Sequence, residues 1–244
     1  MAGHSKWHNI KHKKAASDAK RGKIFTKHAR MITIAAKQGG DINMNPLLKA
    51  AVDAAKVDNV PNENIDRAIK KGTGELKDDT IIEELFYDAF GPAGSVLFIE
   101  VLTDNKNRSL TNIKKILNKK GGRFADSGSV AWMFKKRGLI NAKCLAEEKE
   151  DLEIISIEAG ADEIVFEDDI VNIFTIPEDL MHVKSELEAQ GVKINTVEIV
   201  YDAKENRVSI SRDSEAYESF ETLMEALDED EDVSNIYTNV DVED

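Results

Sequence analysis

The apolar periodicity changes at Gly72-Thr73-Gly74, and that change narrows the folds open to this 244-residue chain. Upstream, apolar residues recur at helical spacing. From Lys23 to Lys37, Ile24, Phe25, Met31, Ile32 and Ala35 share one stripe with His28, and Gly39-Gly40 supplies a stop. Asn45 and Pro46 suit the N-cap and first position of a second helix, whose inner face is Leu48, Ala51, Val52 and Ala55. Val60-Pro61 interrupts the pattern, and a third helix through Ile65, Ala68 and Ile69 ends at Gly72. Helices this short do not persist alone in water, so their apolar faces must pack together.

Downstream of Lys77-Asp78-Asp79 the pattern alternates between strand-like and helix-like segments. Ile81–Tyr87 and Val96–Leu102 read as strands around the Gly91-Pro92-Ala93-Gly94 turn. A helix through Leu110, Ile113 and Leu117 runs to Gly121-Gly122, and Val130–Phe134 reads as another strand. A second block follows, with a strand at Leu139-Ile140, a helix over 145–159, paired strands at 163–166 and 170–176, a helix over 177–190 and a strand over 192–201. The tail reads as a strand over 207–210, an amphipathic helix over 214–227 and a single strand from Val233 to Val240. The expected class is α+β in three domains: a basic helical domain over 1–75, an α/β domain over 80–134 plus 206–241, and an inserted α/β domain over 136–201. Both α/β blocks have strand and helix counts suited to ferredoxin-like layers.

Charge is segregated along the chain. The first 40 residues hold ten Lys or Arg and one acid, Asp18, a net +9, whereas the whole chain is −13. After Arg212 there are thirteen acids and no base. A concentrated basic arm favours a polyanion, because each phosphate it neutralises releases counterions. The nucleic-acid-binding candidates are Lys6, Lys11, Lys13, Lys14, Arg21, Lys23 and Lys27. His4, His8 and His12 join them as donors to phosphate oxygens, and Trp7 as a ring for base stacking. The competing reading is a solvated arm that only aids solubility. Lysine positions a nucleic acid without reading its bases, which points to structured RNA or loosely specific DNA.

Catalytic signatures are lacking. His4, His8 and His12 have metal-ligand spacing, but residues 4–8 read HSKWH and not HExxH. Asp228, Asp230 and Asp232 resemble the start of a calcium loop, but Val233 and Asn239 stand where Gly and Glu belong. A solvated acidic helix end is the expectation there, with a secondary role as an internal decoy for the basic arm or in repelling nucleic acid from that face. No phosphate loop or GxSxG motif appears, so no metal, cofactor or catalytic residue is expected. Asn105, Asn107 and Arg108 form a possible ligand loop, with turn and helix-capping chemistry as the even alternative. Trp132 and Phe134 read as core or interface. Cys144 is the only cysteine, so no intrachain disulfide forms and a reducing, cytoplasmic setting is expected. The N-terminus has no apolar signal core, and no apolar run is long enough to span a membrane.

The opening Met1-Ala2-Gly3-His4-Ser5-Lys6-Trp7, then Ile10–Lys14, Asp18, Arg21-Gly22-Lys23 and Phe25-Thr26-Lys27, strongly resemble the YebC/PmpR family. That family has a mitochondrial relative, the translational activator of cytochrome c oxidase subunit I. The resemblance continues through Asn45-Pro46, Asn59-Val60-Pro61, Ala68–Gly72, Leu102–Asn105, Asn107-Arg108, Gly121-Gly122 and Gly128-Ser129-Val130. It implies three domains, the third inserted in the second, and no enzymatic activity. It further implies a cytoplasmic, DNA-binding transcriptional regulator. Members are also linked to translation, as ribosome-associated factors that assist synthesis through proline-rich stretches, with ribosomal RNA as the partner. Tyr87–Gly94 departs from the family's Tyr-Glu-Gly-Tyr-Gly-Pro-Gly-Gly, having Ala89, Phe90 and Ala93 in place of Gly, Tyr and Gly. A third reading is an acidic protein-interaction scaffold to which the arm is incidental.

Overall fold

The structure, a computed structural model, describes residues 18–76, 80–167, 169–204 and 206–243. Three helices come first: α1 (Asp18–Ala36), α2 (Pro46–Val57) and α3 (Asn62–Gly72). The expected stripe of α2 is the buried one, Leu48, Ala51, Val52 and Ala55. It meets Ile32 and Ala36 of α1 and Ile65 and Ala68 of α3 in one core. Asn45 joins two helix ends. Its Oδ1 accepts from the Leu48 N–H at 3.0 Å, and its Nδ2 donates to the Ala35 and Gly39 carbonyls at 2.8 and 2.7 Å. Both of these ends have backbone groups without intrahelical partners, and one buried amide satisfies several of them.

Two four-stranded sheets follow. The first uses β1 (Glu83–Phe90), β2 (Val96–Thr103), β3 (Arg123–Phe124) and β9 (Val233–Thr238), in the order β3-β1-β2-β9. Between β2 and β3 lies α4 (Lys106–Lys119), and α7 (Glu215–Asp228) precedes β9. The second sheet uses β4 (Phe134–Lys143), β5 (Glu163–Glu167), β6 (Ile170–Thr175) and β7 (Ile194–Ala203), in the order β5-β6-β4-β7, every pair antiparallel. With α5 (Lys149–Glu158) and α6 (Leu180–Ala189) between its strands, this is the split βαββαβ pattern of ferredoxin-like sheets. The first sheet has the same spatial order, its second position filled from upstream by β1. The class is therefore α+β.

On one face of the first sheet, Leu97, Ile99 and Val101 pack against Ile113 and Leu117 of α4 and Phe220, Leu223 and Leu227 of α7. Val96 and Phe98 point the other way and meet Phe134, Val200 and Tyr237, joining the two sheets. The second sheet packs Ile140, Val171 and Ile173 against Leu152 of α5 and Val183 and Leu187 of α6.

Two expected strands differ from the observed ones. Val130–Phe134 is not a strand: Ala131–Met133 is a 3-10 turn and Phe134 already opens β4 of the second sheet. The carboxylate of Asp88, buried in β1, accepts from the Val130 N–H at 2.8 Å, so a strand partner is replaced by a side chain. The tail strand is two strands, β9 and β10 (Val240–Glu243), the latter pairing in parallel with β8 (Val208–Ser211). Asn239 makes the switch. Its Oδ1 accepts from the Val96 N–H at 2.9 Å and its Nδ2 donates to the Asn206 carbonyl at 2.7 Å. The backbone is thereby freed to change sheets. In the Gly91–Gly94 turn, Ala93 sits at φ 55° and ψ 26°, a left-handed conformation that glycine adopts freely and that costs alanine about 1 kcal/mol.

Candidate nucleic-acid interface

His4, Lys6, Trp7, His8, Lys11, His12, Lys13 and Lys14 lie outside the described residues. Arg21 falls in α1, but its side chain does too. Of the described cations of the basic segment, Lys23, Lys27 and Arg30 form a stripe on α1 that faces the acidic end of α7, while Lys37, just past α1, donates to the Ile82 carbonyl at 2.6 Å. Lys23 Nζ donates to the Glu229 carbonyl at 2.8 Å, and Lys27 Nζ lies 3.6 Å from Asp228 Oδ1. Arg30 reaches the Glu231 carbonyl, and its Nη1 is 2.7 Å from Asp232 Oδ1. Cations at the C-terminal end of a helix also meet the negative end of its dipole. These residues therefore dock α1 onto the first sheet's helix layer. On the opposite side His28 ties α1 to Asp58, just past α2, through Nε2.

The acidic end is solvated only in part: Glu229 and Glu231 are exposed, Asp228 and Asp230 half-buried, and Asp232 buried. Asp232 is 3% exposed and gathers three partners. Besides Arg30, Arg108 Nη2 approaches its Oδ1 at 2.9 Å and Ser109 Oγ donates to its Oδ2 at 2.7 Å. Its backbone N–H donates to Asp230 Oδ1 at 3.0 Å. Burial raises the Asp230 carboxyl above its ordinary value, and the neighbouring Asp232 charge adds to that. Of the cations on α1, Lys27 and Arg30 meet carboxylates of this end, Asp228 and Asp232, while Lys23 bonds a backbone carbonyl.

The loop after β2 is engaged internally. Asn105 Oδ1 caps α4 by accepting from the Arg108 N–H at 3.0 Å, and Arg108 also bonds Asp104 at 2.7 Å. Burial works to raise the Asp104 carboxyl, but the hydrogen bond and charge of Arg108 outweigh it and hold it below its ordinary value. Asn107 stands exposed on the first turn of α4. Trp132 is 63% exposed, its indole N–H donating to the Ser129 carbonyl at 3.0 Å, whereas Phe134 is in the core between the sheets. Cys144 is buried, and burial raises its thiol away from the thiolate form. Among the described residues no three His, Cys, Asp or Glu are placed to share a metal, and no helix is long and apolar enough to cross a membrane.

Where the two sheets meet, Glu100 of β2 is set among aromatic rings. Phe98 lies 5.1 Å from Tyr201, and Tyr201 lies 5.2 Å from Tyr237, centroid to centroid. A single oxygen, Glu100 Oε2, accepts from Tyr237 Oη at 2.8 Å and from Asn235 Nδ2 at 3.0 Å. Burial raises the Glu100 carboxyl above its ordinary 4.5, these two hydrogen bonds opposing it only in part. A carboxyl raised on folding binds its proton more tightly in the native state, so its contribution is most favourable below about 4.5 and is lost as pH rises through the folded value. Glu100→Gln keeps an oxygen acceptor and cannot ionise. Its stability relative to the native chain should rise as pH is raised from 4 to 8, read by urea unfolding at several pH values. A difference that stays constant over that range would contradict the assignment.

One basic segment escaped the sequence reading. Residues 106–137 hold ten Lys or Arg and one acid, Asp126, as concentrated as the N-terminal arm. A charge count in a sliding window finds it. Attention to apolar periodicity, which reads α4 as an ordinary amphipathic helix, does not.

Comparison with known proteins places this architecture. A model described as the TACO1/YebC protein N-terminal domain matches residues 5–75, and one described as the TACO1/YebC second and third domain matches residues 82–240. A probable transcriptional regulatory protein of Halothermothrix orenii is 44% identical, covering 100% of this chain and 96% of its own. Another so named, of Thermoanaerobacter pseudethanolicus, is 46% identical, covering 100% of this chain and 98% of its own. The crystal structure of a conserved hypothetical protein, Aq1575 from Aquifex aeolicus, superposes with a TM-score of 0.84 at 37% identity over 96% of each chain. Matched from the helical unit through both sheets, the chain belongs to the TACO1/YebC family.

Proposed function

We propose that this protein is a non-enzymatic, DNA-binding transcriptional regulator of the cytoplasm, organised as three domains over 1–75, 80–134 with 206–241, and 136–201. The observation that carries the reading is full-length similarity to proteins named probable transcriptional regulatory protein, in a chain with a cation-rich N-terminus. Lys23, Lys27 and Arg30 are committed to docking α1, so phosphate contact falls to the cations before Asp18, Lys6, Lys11, Lys13 and Lys14, with Trp7 among them. Ribosomal RNA is the second partner, favoured by a lysine-rich arm that positions without reading base edges. The test is crosslinking and sequencing of nucleic acid bound in cells, beside a Lys11, Lys13, Lys14→Ala variant. Discrete DNA sites lost in the variant are expected. Ribosomal RNA lost in the variant would move the function to the ribosome. Equal recovery by the variant would overturn the arm as the binding surface, and recovery of neither nucleic acid by the native chain would favour the scaffold reading.

A further inference from the structure

We infer that the outer face of α4, with the adjoining edge strand β3, is a second docking surface for a nucleic-acid sugar-phosphate backbone. The inference rests on the nucleic-acid reading above and extends it to a part of the fold remote in sequence from the arm. Lys114, Lys115 and Lys119 lie on one exposed face of α4, opposite the buried Ile113 and Leu117, and Arg123 is exposed on β3, the outermost strand of its sheet.

What separates these cations from those of α1 is the absence of acid partners. Among the described residues, Lys114, Lys115, Lys119, Lys120 and Arg123 make no ion pair, whereas Lys27 and Arg30 each face a carboxylate. Two of the five are held by rings instead: Lys114 Nζ lies 4.7 Å from the centre of Phe124, and the Arg123 guanidinium 4.9 Å from that of Phe90. A ring orients a cation without neutralising it, so both charges stay available to an incoming anion. Helix-dipole complementarity accounts for Lys119 at the C-terminal turn, but not for Lys114 and Lys115 a turn or more earlier.

The rest of the face suits the same partner. Asn107 and Asn118 stand exposed among the lysines at helical spacing, and their amides are the donors, since the exposed Thr111 gives its hydroxyl to the Asn107 carbonyl at 2.7 Å. Short polar side chains between cations are the usual donors to phosphate and sugar oxygens. The neighbouring α7 carries Glu218, Glu221 and Glu225 and repels a polyanion, which confines the backbone's path to α4 and β3.

The experiment measures binding of the full chain to duplex DNA and to a structured RNA hairpin across a salt series. Each neutralised duplex phosphate contributes about −0.9 to the slope of log K against log salt. Changing Lys114, Lys115, Lys119 and Lys120 to Gln, which keeps the aliphatic stems, should flatten the slope by about 3.6 and weaken binding at least tenfold near 0.1 M salt. A control with Lys143, Lys184 and Lys193 changed to Gln, on the second sheet's unit, should behave as the native chain. The Lys11, Lys13, Lys14→Ala variant should lose a separate portion of the slope. If only the arm variant loses slope, the α4 surface is overturned and the arm reading survives. If the native chain binds neither probe, both fall. A control that loses as much as the α4 variant would attribute the effect to overall charge and overturn the surface as well. Thermal melting verifies that every variant is folded.

Discussion

Asp232→Ala should lower the free energy of unfolding by about 3 kcal/mol, the lower part of the range for stripping one partner from a buried ion pair. The side chain is 3% exposed and is the meeting point of Arg30 from α1, Arg108 and Ser109 from α4. Removing it leaves Arg30, 14% exposed, facing a cavity with no counter-charge. Arg108 is 44% exposed and keeps Asp104, so it re-solvates cheaply, which is why the upper part of the range does not apply. Asp232→Asn keeps the shape and one acceptor oxygen and should lose roughly half as much. Urea unfolding measures both. A loss under about 1 kcal/mol for the alanine variant would show that the cluster is solvated and worth no more than a surface pair. Salt is a second handle. Buried pairs are poorly screened, so the difference between native and variant should persist at high ionic strength.

That cluster also shows where sequence reasoning stops. Asn45-Pro46 and the Leu48, Ala51, Val52, Ala55 stripe are legible because cap and apolar face are decided within one helix. The βαββαβ order of the second sheet is legible because its strands and helices alternate without interruption. The docking of Asp228 and Asp232 is not legible, because a run of carboxylates looks the same whether free or docked. The partners of these two carboxylates, Lys27 and Arg30, are about 200 positions away. Val130–Phe134 has strand composition, and only Asp88, 42 residues upstream, diverts its backbone into a turn. The loop at 105–108 carries cap chemistry in its sequence, and in the fold Asn105 caps α4 and Arg108 pairs with Asp232. Of the nucleic-acid candidates, the two with described side chains, Lys23 and Lys27, have intramolecular roles that charge density alone does not reveal.

Gly72→Ala tests how tightly α1 is held from its other side. The residue reads as a helix stop, and it is the last residue of α3, but the structure gives it a second task. A Cβ there would lie 2.4 Å from the Thr33 carbonyl oxygen and 2.6 Å from Ala36 Cβ, both on α1. The first of these is backbone and cannot rotate away. The same crossing is closed by Thr33 Oγ1, which donates to the Ala68 carbonyl of α3 at 3.2 Å and to the Ala29 carbonyl at 2.7 Å. Two effects oppose each other in the variant. Alanine is favoured over glycine in a helix by up to about 1 kcal/mol, less at a terminal turn. Forcing a methyl into a closed contact costs about 1–3 kcal/mol, and the upper end applies where backbone must move. The clash wins, and a net loss of about 2 kcal/mol is expected in urea unfolding. The sign is diagnostic: if α1 and α3 separate freely, the propensity term is all that remains and the variant becomes more stable than the native chain. Displacing α1 at this crossing also shifts Lys23, Lys27 and Arg30, whose contacts with residues 228–232 lie on the helix's other side. Amide exchange should therefore accelerate along α1 and at Val233, beyond the acidic cluster, while the amides of β4 and β6, which share no core with α1, keep native protection.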